Sequence, residues 1–209
     1  MFGGAFNPPT IAHIALAKEA MLQTNCEKVI FVPTKQSYIR DEQKKDSAFA
    51  DDVRLEMLQE IAKKNDWMEV SDFEICAKEQ PRSYITLQHL AAKGFQCHLL
   101  FGSDKLFEFA DKWKYVPEIL REYGIVCMTR YEDECEQEIQ LNPFLSQWAD
   151  CIQIVHTPKT YRRLSSTEVR DRYWKAVIAL KELKKMVPEE LDGLEKYILE
   201  TVNYEESDD

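Results

Sequence analysis

Gly3-Gly4-Ala5-Phe6-Asn7-Pro8-Pro9-Thr10-Ile11-Ala12-His13 stands near the start of the chain, and its reading decides the fold. Two glycines let backbone amides approach an oxyanion with no Cβ in the way, two prolines stop an extended segment, and Thr10 suits a helix N-cap. The stretch reads as a tight crossing from a strand into a helix. His13 then falls in the first helical turn on the side of Thr10, where unpaired N–H groups and the positive dipole end favour phosphate. No Lys-Ser or Lys-Thr follows the glycines, and the spacing is not G-x-G-x-x-G, so neither of those phosphate loops applies. The glycine pair by itself is more often a core turn with a capping threonine and an incidental histidine; the full string is far more specific.

Outward from this corner, short β-branched and aromatic runs alternate with segments of helical periodicity. The predicted strands are Lys28 to Thr34, Val70 to Ile75, Cys97 to Gly102, Gly124 to Thr129 and Cys151 to His156. The predicted helices are Ile11 to Asn25, Ala50 to Lys64, Tyr84 to Lys93 and Thr167 to Lys175, each with apolar residues three or four apart. Such alternation specifies an α/β fold: a Rossmann-like, doubly wound, mainly parallel sheet with helices on both faces. Only Met1 and Phe2 precede the glycines, and two residues do not make a central strand that pairs on both sides. The expectation is a start site placed too late or a chain cut short.

Near the other end, Arg162-Arg163-Leu164-Ser165-Ser166-Thr167-Glu168-Val169-Arg170 leaves a predicted strand and opens a helix. Ser165 with Glu168 three residues on has the spacing of a capping box, which sets Ser166, Thr167 and exposed amides at a helix N-terminus among arginines. An ordinary capped helix with solvated arginines accounts for this motif alone equally well. In a doubly wound sheet, however, two strand-to-helix corners at the carboxyl edge can face one crevice and grip one polyphosphate.

The 209 residues, 44% hydrophobic, are enough for one sizeable core, so a single domain over residues 1–209 is expected. Residues 35–51 are polar and of mixed charge, which suggests a surface loop and a candidate lid, and the acidic tail 203–209 has nothing to bury and should fray. A formal net charge of −10 argues against a broad nucleic-acid-binding face, leaving local basic pockets for an anionic substrate. Six cysteines occur without a C-x-x-C pair, and neither a membrane-length apolar run nor a signal-peptide pattern is present. The chain reads as soluble and cytoplasmic, with no nucleic-acid or membrane partner.

The two motifs together resemble those of the nucleotidyltransferases, G-x-F-x-P-x-[HT]-x-x-H and S-S-T-x-x-R. Within them the chain is similar to the nicotinate or nicotinamide mononucleotide adenylyltransferases over nearly its whole length. Val32-Pro33 resembles the family's V-P, Arg54 with Met57 its R-x-x-M-L helix, Ser83-Tyr84 its S-Y turn, and Gly102-Ser103-Asp104-Lys105-Leu106 its G-x-D-x-L, with Trp113 at its tryptophan position. The chain departs from the family at Ala12, where glycine is common, and at Thr10, which replaces a frequent histidine.

The resemblance implies that Thr10, His13 and Arg170 carry the chemistry. It assigns ATP to Gly3, Gly4, Phe6, His13, Gly102, Asp104, Ser165, Ser166, Thr167 and Arg170. It assigns the mononucleotide to Asn7, Arg40, Ser83, Tyr84, Thr86, Trp113 and Arg130, with Trp113 stacked on the pyridine ring. Lys44 and Lys45 compete with Arg40 as the basic lid residue, and Gln88 with Thr86 as the reader of the ring carboxylate, because the family's S-Y-T-x-x-T spacing is not kept. Without the family, Trp113 is a packing residue beside Phe107 and Phe109.

The implied reaction transfers AMP from ATP to nicotinate mononucleotide, giving deamido-NAD and pyrophosphate, with Mg²⁺ entering alongside ATP and no metal ligand assigned to the protein. Nicotinamide mononucleotide as acceptor, a sibling phosphopantetheine adenylyltransferase or cytidylyltransferase, and a nucleotide-binding regulator without turnover remain alternatives. A cysteine-dependent hydrolase is disfavoured, since no cysteine neighbours a histidine in a nucleophile turn. Self-association is left open.

Overall fold

The structure is a computed structural model that describes residues 1–42, 48–129, 135–161 and 165–184. Among the described residues, six strands run β1 (Phe2–Gly4), β2 (Val29–Pro33), β3 (Met68–Val70), β4 (Leu99–Gly102), β5 (Ile125–Met128) and β6 (Ile152–Val155). The described helices are α1 (Ile11–Gln23), α2 (Gln36–Asp41), α3 (Asp51–Ala62), α4 (Phe73–Cys76), α5 (Ser83–Ala92), α6 (Leu106–Lys112), α7 (Val116–Glu122), α8 (Cys135–Leu141) and α9 (Ser166–Lys184). Every strand pair is parallel, in the order β3-β2-β1-β4-β5-β6. The chain therefore winds one way from β1 to β3 and the other way from β4 to β6, and the reversal between β1 and β4 opens a crevice at the carboxyl edge.

Strand residues alternate between two apolar layers, as a sheet covered on both faces requires. Ile30, Val32, Leu99, Phe101, Ile125 and Cys127 enter one core together with Leu87 and Leu90 of α5, Phe109 of α6 and Ile119 of α7. Val29, Phe31, Leu100, Val126 and Met128 enter the other, with Leu16, Ala17 and Ala20 of α1 and Leu58 of α3. The predicted strands and helices fall on observed ones to within a few residues, apart from α9, which runs on to Lys184 where Lys175 was expected, and three further exceptions.

β1 is a central strand despite its length. Phe2, Gly3 and Gly4 pair with Phe31, Val32 and Pro33 on one side, and Phe2 pairs with Leu100 on the other. Flanking bonds extend it: Leu100 N–H donates to the Met1 carbonyl at 2.8 Å and Thr34 N–H to the Gly4 carbonyl at 2.9 Å. The expectation that so few residues cannot pair on both sides is overturned by these bonds. The strand predicted over Val70 to Ile75 ends at Val70; beyond it, Phe73–Cys76 makes one helical turn, and Glu74 turns into the interior. The loop expected over 35–51 contains α2, whose Ile39 is 0% exposed; one isoleucine at the right position packs a segment whose average composition is polar. Residues 43–47 of that stretch lie outside the described residues.

The single domain expected over 1–209 divides into two compact units, Met1–Ser166 and Thr167–Asp209. The described part of the second belongs to α9, and the tail 203–209 lies outside the described residues. Among the described residues, no helix is long and apolar enough to cross a membrane.

Candidate active site

The first motif folds as the corner its residues dictate. Gly4 ends β1, and a side chain there would meet the Phe6 ring at 3.2 Å, because Phe6, at φ +42°, folds back over the glycine. At Gly3 an added Cβ would meet nothing within 4 Å. Asn7 is buried, is joined to Pro8 by a cis peptide, and accepts the Phe49 N–H on its Oδ1 at 2.9 Å.

Thr10 caps α1 in a reciprocal arrangement with His13. The Thr10 N–H donates to His13 Nδ1 at 3.0 Å, the Thr10 hydroxyl lies 2.8 Å from the same nitrogen, and His13 N–H donates to Thr10 Oγ1 at 3.4 Å. A backbone N–H can only donate, so Nδ1 accepts and the neutral ring carries its proton on Nε2. The ring is further held edge-on against Phe6, centroids 5.3 Å apart. The corner thus fixes the His13 ring at a helix N-terminus, a place that favours phosphate oxygens.

Within the first unit, Ser166 of the second motif bonds to the first motif. Ser166, first residue of α9, donates from Oγ to the Pro8 carbonyl at 2.9 Å. Farther along α9, Arg170 Nη2 donates to Thr167 Oγ1 at 3.2 Å. Arg162, Arg163 and Leu164 lie outside the described residues, as does Arg130. Gly102 ends β4 across the switch point from Gly4, and Asp104 is exposed in the 3₁₀ turn that follows.

Several residues expected at the mononucleotide are committed elsewhere. Thr86 is 0% exposed and donates its hydroxyl to Glu74 Oε1 at 2.7 Å, so its hydroxyl faces the interior of the first unit. Tyr84 stacks on Tyr115, centroids 5.2 Å apart, and donates its hydroxyl to Glu122 at 3.0 Å, which turns the ring towards α7. Ser83 is half-buried at the start of α5. Arg40 is exposed on α2 with its Nε on the Asp41 carboxylate at 2.8 Å; Lys44 and Lys45 fall outside the described residues. Trp113 ends α6, half-buried, and packs on Phe109 at 5.4 Å and Phe101 at 5.9 Å.

Two buried charges went unassigned in the sequence reading. Glu74 is 4% exposed, and burial pushes its carboxyl above the usual range against the opposing pull of bonds from Thr86 and Gln80. Gln80 Nε2 donates to Glu74 Oε2 at 2.5 Å, and Gln80 Oε1 accepts the Lys35 N–H at 2.9 Å. The second is Arg54, whose guanidinium lies beneath the first corner. Its place in the R-x-x-M-L pattern, three residues before an apolar position of α3, was the signal for burial. Nothing local marked Glu74. Among the described residues, no three His, Cys, Asp or Glu side chains gather to hold a metal.

A family model described as cytidylyltransferase-like matches residues 1–172. A probable nicotinate-nucleotide adenylyltransferase of Caldicellulosiruptor bescii is 31% identical over 170 residues, covering 81% of this chain and 83% of the relative. Another, from Clostridium botulinum strain Loch Maree, is 30% identical over 208 residues, 98% of this chain and 97% of the relative. Among solved structures, the nicotinic acid mononucleotide adenylyltransferase of Plasmodium falciparum complexed with NaAD aligns with a TM-score of 0.60 at 19% identity, over 81% of this chain and 80% of that one. At that identity the likeness speaks for the fold.

Proposed function

The chain belongs to the cytidylyltransferase-like family, and on that premise we propose that it is a nicotinate-nucleotide adenylyltransferase acting in NAD biosynthesis. It transfers AMP from ATP to nicotinate mononucleotide, releasing pyrophosphate. The observation that carries this reading is the Ser166 hydroxyl on the Pro8 carbonyl, two residues before the Thr10–His13 cap, because it joins the ends of the two phosphate motifs. The names of the relatives over nearly the whole chain support nicotinate mononucleotide as the acceptor.

In the transfer, a phosphate oxygen of the mononucleotide attacks the α-phosphorus of ATP in line. A new P–O bond forms there, and the bond from that phosphorus to the bridging oxygen breaks, leaving pyrophosphate with the electron pair. The nucleophile is already anionic, so no general base is needed, and the protein's work is to align two anions and to stabilise charge at the bridging oxygen. The His13 imidazole, with its proton on Nε2, is placed to donate to a phosphate oxygen. The motif it matches assigns Ser166, Thr167 and Arg170 to the triphosphate, and the resemblance assigns Trp113 to the pyridine ring.

The described residues build no metal cage of their own. Mg²⁺ in this reading arrives on the phosphates of ATP, as this cation commonly does, and supplies charge neutralisation there. All six cysteines are free thiols, which suits a reducing cytoplasm.

The test is a coupled assay with ATP and either nicotinate or nicotinamide mononucleotide, reading deamido-NAD, NAD and pyrophosphate. Pyrophosphate release with a clear preference for the acid is expected. Tight ATP binding with no product from either acceptor would make the protein a nucleotide-binding regulator instead.

A further inference from the structure

Arg54 on α3 has a side chain that is 0% exposed, and beyond the Asp51 carboxylate of its own helix its hydrogen bonds go to other segments. Nη1 donates to the Ala5 carbonyl at 2.6 Å, Nη2 to the Thr34 carbonyl at 2.5 Å, and Nε to the Phe49 carbonyl at 3.1 Å, while Asp51 pairs with Nη2. Ala5 lies in the phosphate corner after β1, Thr34 in the corner after β2, and Phe49 just ahead of α3. One planar fork therefore spans three chain segments at the carboxyl edge of the sheet.

The same segments are tied to one another by bonds that depend on that spacing. Phe49 N–H donates to Asn7 Oδ1 at 2.9 Å, Gln36 N–H to Asp51 Oδ1 at 2.7 Å, and Thr34 N–H to the Gly4 carbonyl at 2.9 Å. Burial works against the charge on Arg54 and the Asp51 carboxylate supports it. A buried cation bonded to three carbonyls costs desolvation that an apolar residue at the same place would not. What it provides is a fixed separation between the corners that follow β1 and β2, which the rigid fork of a guanidinium can hold and an ammonium cannot.

We propose that Arg54 is a positioning residue of the transfer reaction, setting the distance between the phosphate corner at Ala5 to Asn7 and the corner at Thr34 to Gln36. This rests on the adenylyltransferase reading above. Because Arg54 lies beneath the corner and touches no substrate in this reading, its loss acts on the alignment of bound reactants and leaves their grip largely intact.

Arg54→Lys in the full chain is the decisive variant. It should lower kcat by roughly tenfold to a hundredfold, as a misplacement of about 1 Å does, while KM for ATP and for nicotinate mononucleotide stays within about threefold. Hydrogen exchange on the same protein without substrates should quicken at the amides of residues 4–7, 34–36 and 49 and stay unchanged in β4, β5 and β6. A kcat within about twofold of wild type overturns the proposal, and so does faster exchange spread evenly over all six strands, which would make Arg54 a general stabiliser. If Arg54→Lys does not fold, Asp51→Asn, which loosens one tie and keeps the guanidinium, should give a milder fall in kcat at unchanged KM; unaltered kcat there is equally fatal. A wild type that makes no product defeats the adenylyltransferase reading, while the exchange pattern still decides the role of Arg54.

Discussion

Replacing Thr86 with valine keeps the shape of the side chain and removes the hydroxyl that it gives to Glu74. The acceptor is a carboxylate only 4% exposed, reached at 2.7 Å, whose other oxygen takes the Gln80 amide at 2.5 Å. Burial raises the Glu74 carboxyl above its ordinary range in the folded protein. Its contribution to stability is therefore complete below the unfolded value, about pH 4.3, and is lost as pH rises through the raised folded value. The Thr86 bond opposes that loss because it favours the charged form.

Thr86→Val should thus be costlier at high pH than at low. A neutral hydrogen bond contributes about 1 kcal/mol and one to a charged group about 1.5–3 kcal/mol, so the variant should lose about 1 kcal/mol at low pH, where the carboxyl is neutral, and about 2 kcal/mol at high pH, once it is charged. For a chain of this size, 2 kcal/mol corresponds to a fall in Tm of about 4–8 °C. Urea unfolding of wild type and variant at both pH values reads the difference directly. An equal cost at the two pH values would refute the coupling to Glu74. In the coupled assay, below the variant's Tm, KM for nicotinate mononucleotide should stay within about twofold, because the hydroxyl faces inward; a tenfold rise would return Thr86 to the ligand.

Three further outcomes are expected. His13→Ala should lower kcat by about a hundredfold or more, through loss of the donor on Nε2, with about 1 kcal/mol lost from the α1 cap, both measurable by steady-state kinetics and denaturation. Trp113→Ala should raise the mononucleotide KM more than it lowers kcat, and should cost about 2 kcal/mol, less than for a fully buried ring, since only part of its surface packs on Phe101 and Phe109. Ile39→Ala should destabilise by about 2–4 kcal/mol in denaturant, the cost of emptying a core position; a loss below about 0.5 kcal/mol would mean that α2 is the loosely held loop its composition suggests.

Much of the architecture was legible because its signals are local. Short apolar runs at Val29 to Val32 and Ile125 to Met128, helical spacing along α1 and α3, and the Gly-Gly corner each report on a few neighbouring residues. The parallel sheet follows from the alternation of such runs with helical segments, whereas the order of its strands comes from the tertiary structure. The Thr10–His13 cap was equally readable, since both partners lie within one turn. What misled was also local. Val70 to Ile75 reads locally as a strand, yet the ladder ends at Val70, and Glu74 is bonded to Thr86, twelve residues on.

By itself, the sequence determined the fold class, the two strand-to-helix motifs and the chemistry they suit, because periodicity, caps and glycine corners are encoded in adjacent residues. Only the tertiary structure decided that β1 can be three residues long, that Thr86 and Tyr84 are spent on Glu74 and Glu122, and that Arg54 bolts three segments together. The physical reason is that a buried polar group must find its partner wherever the chain brings one. That partner is chosen by packing across the sheet, which no short window of sequence contains.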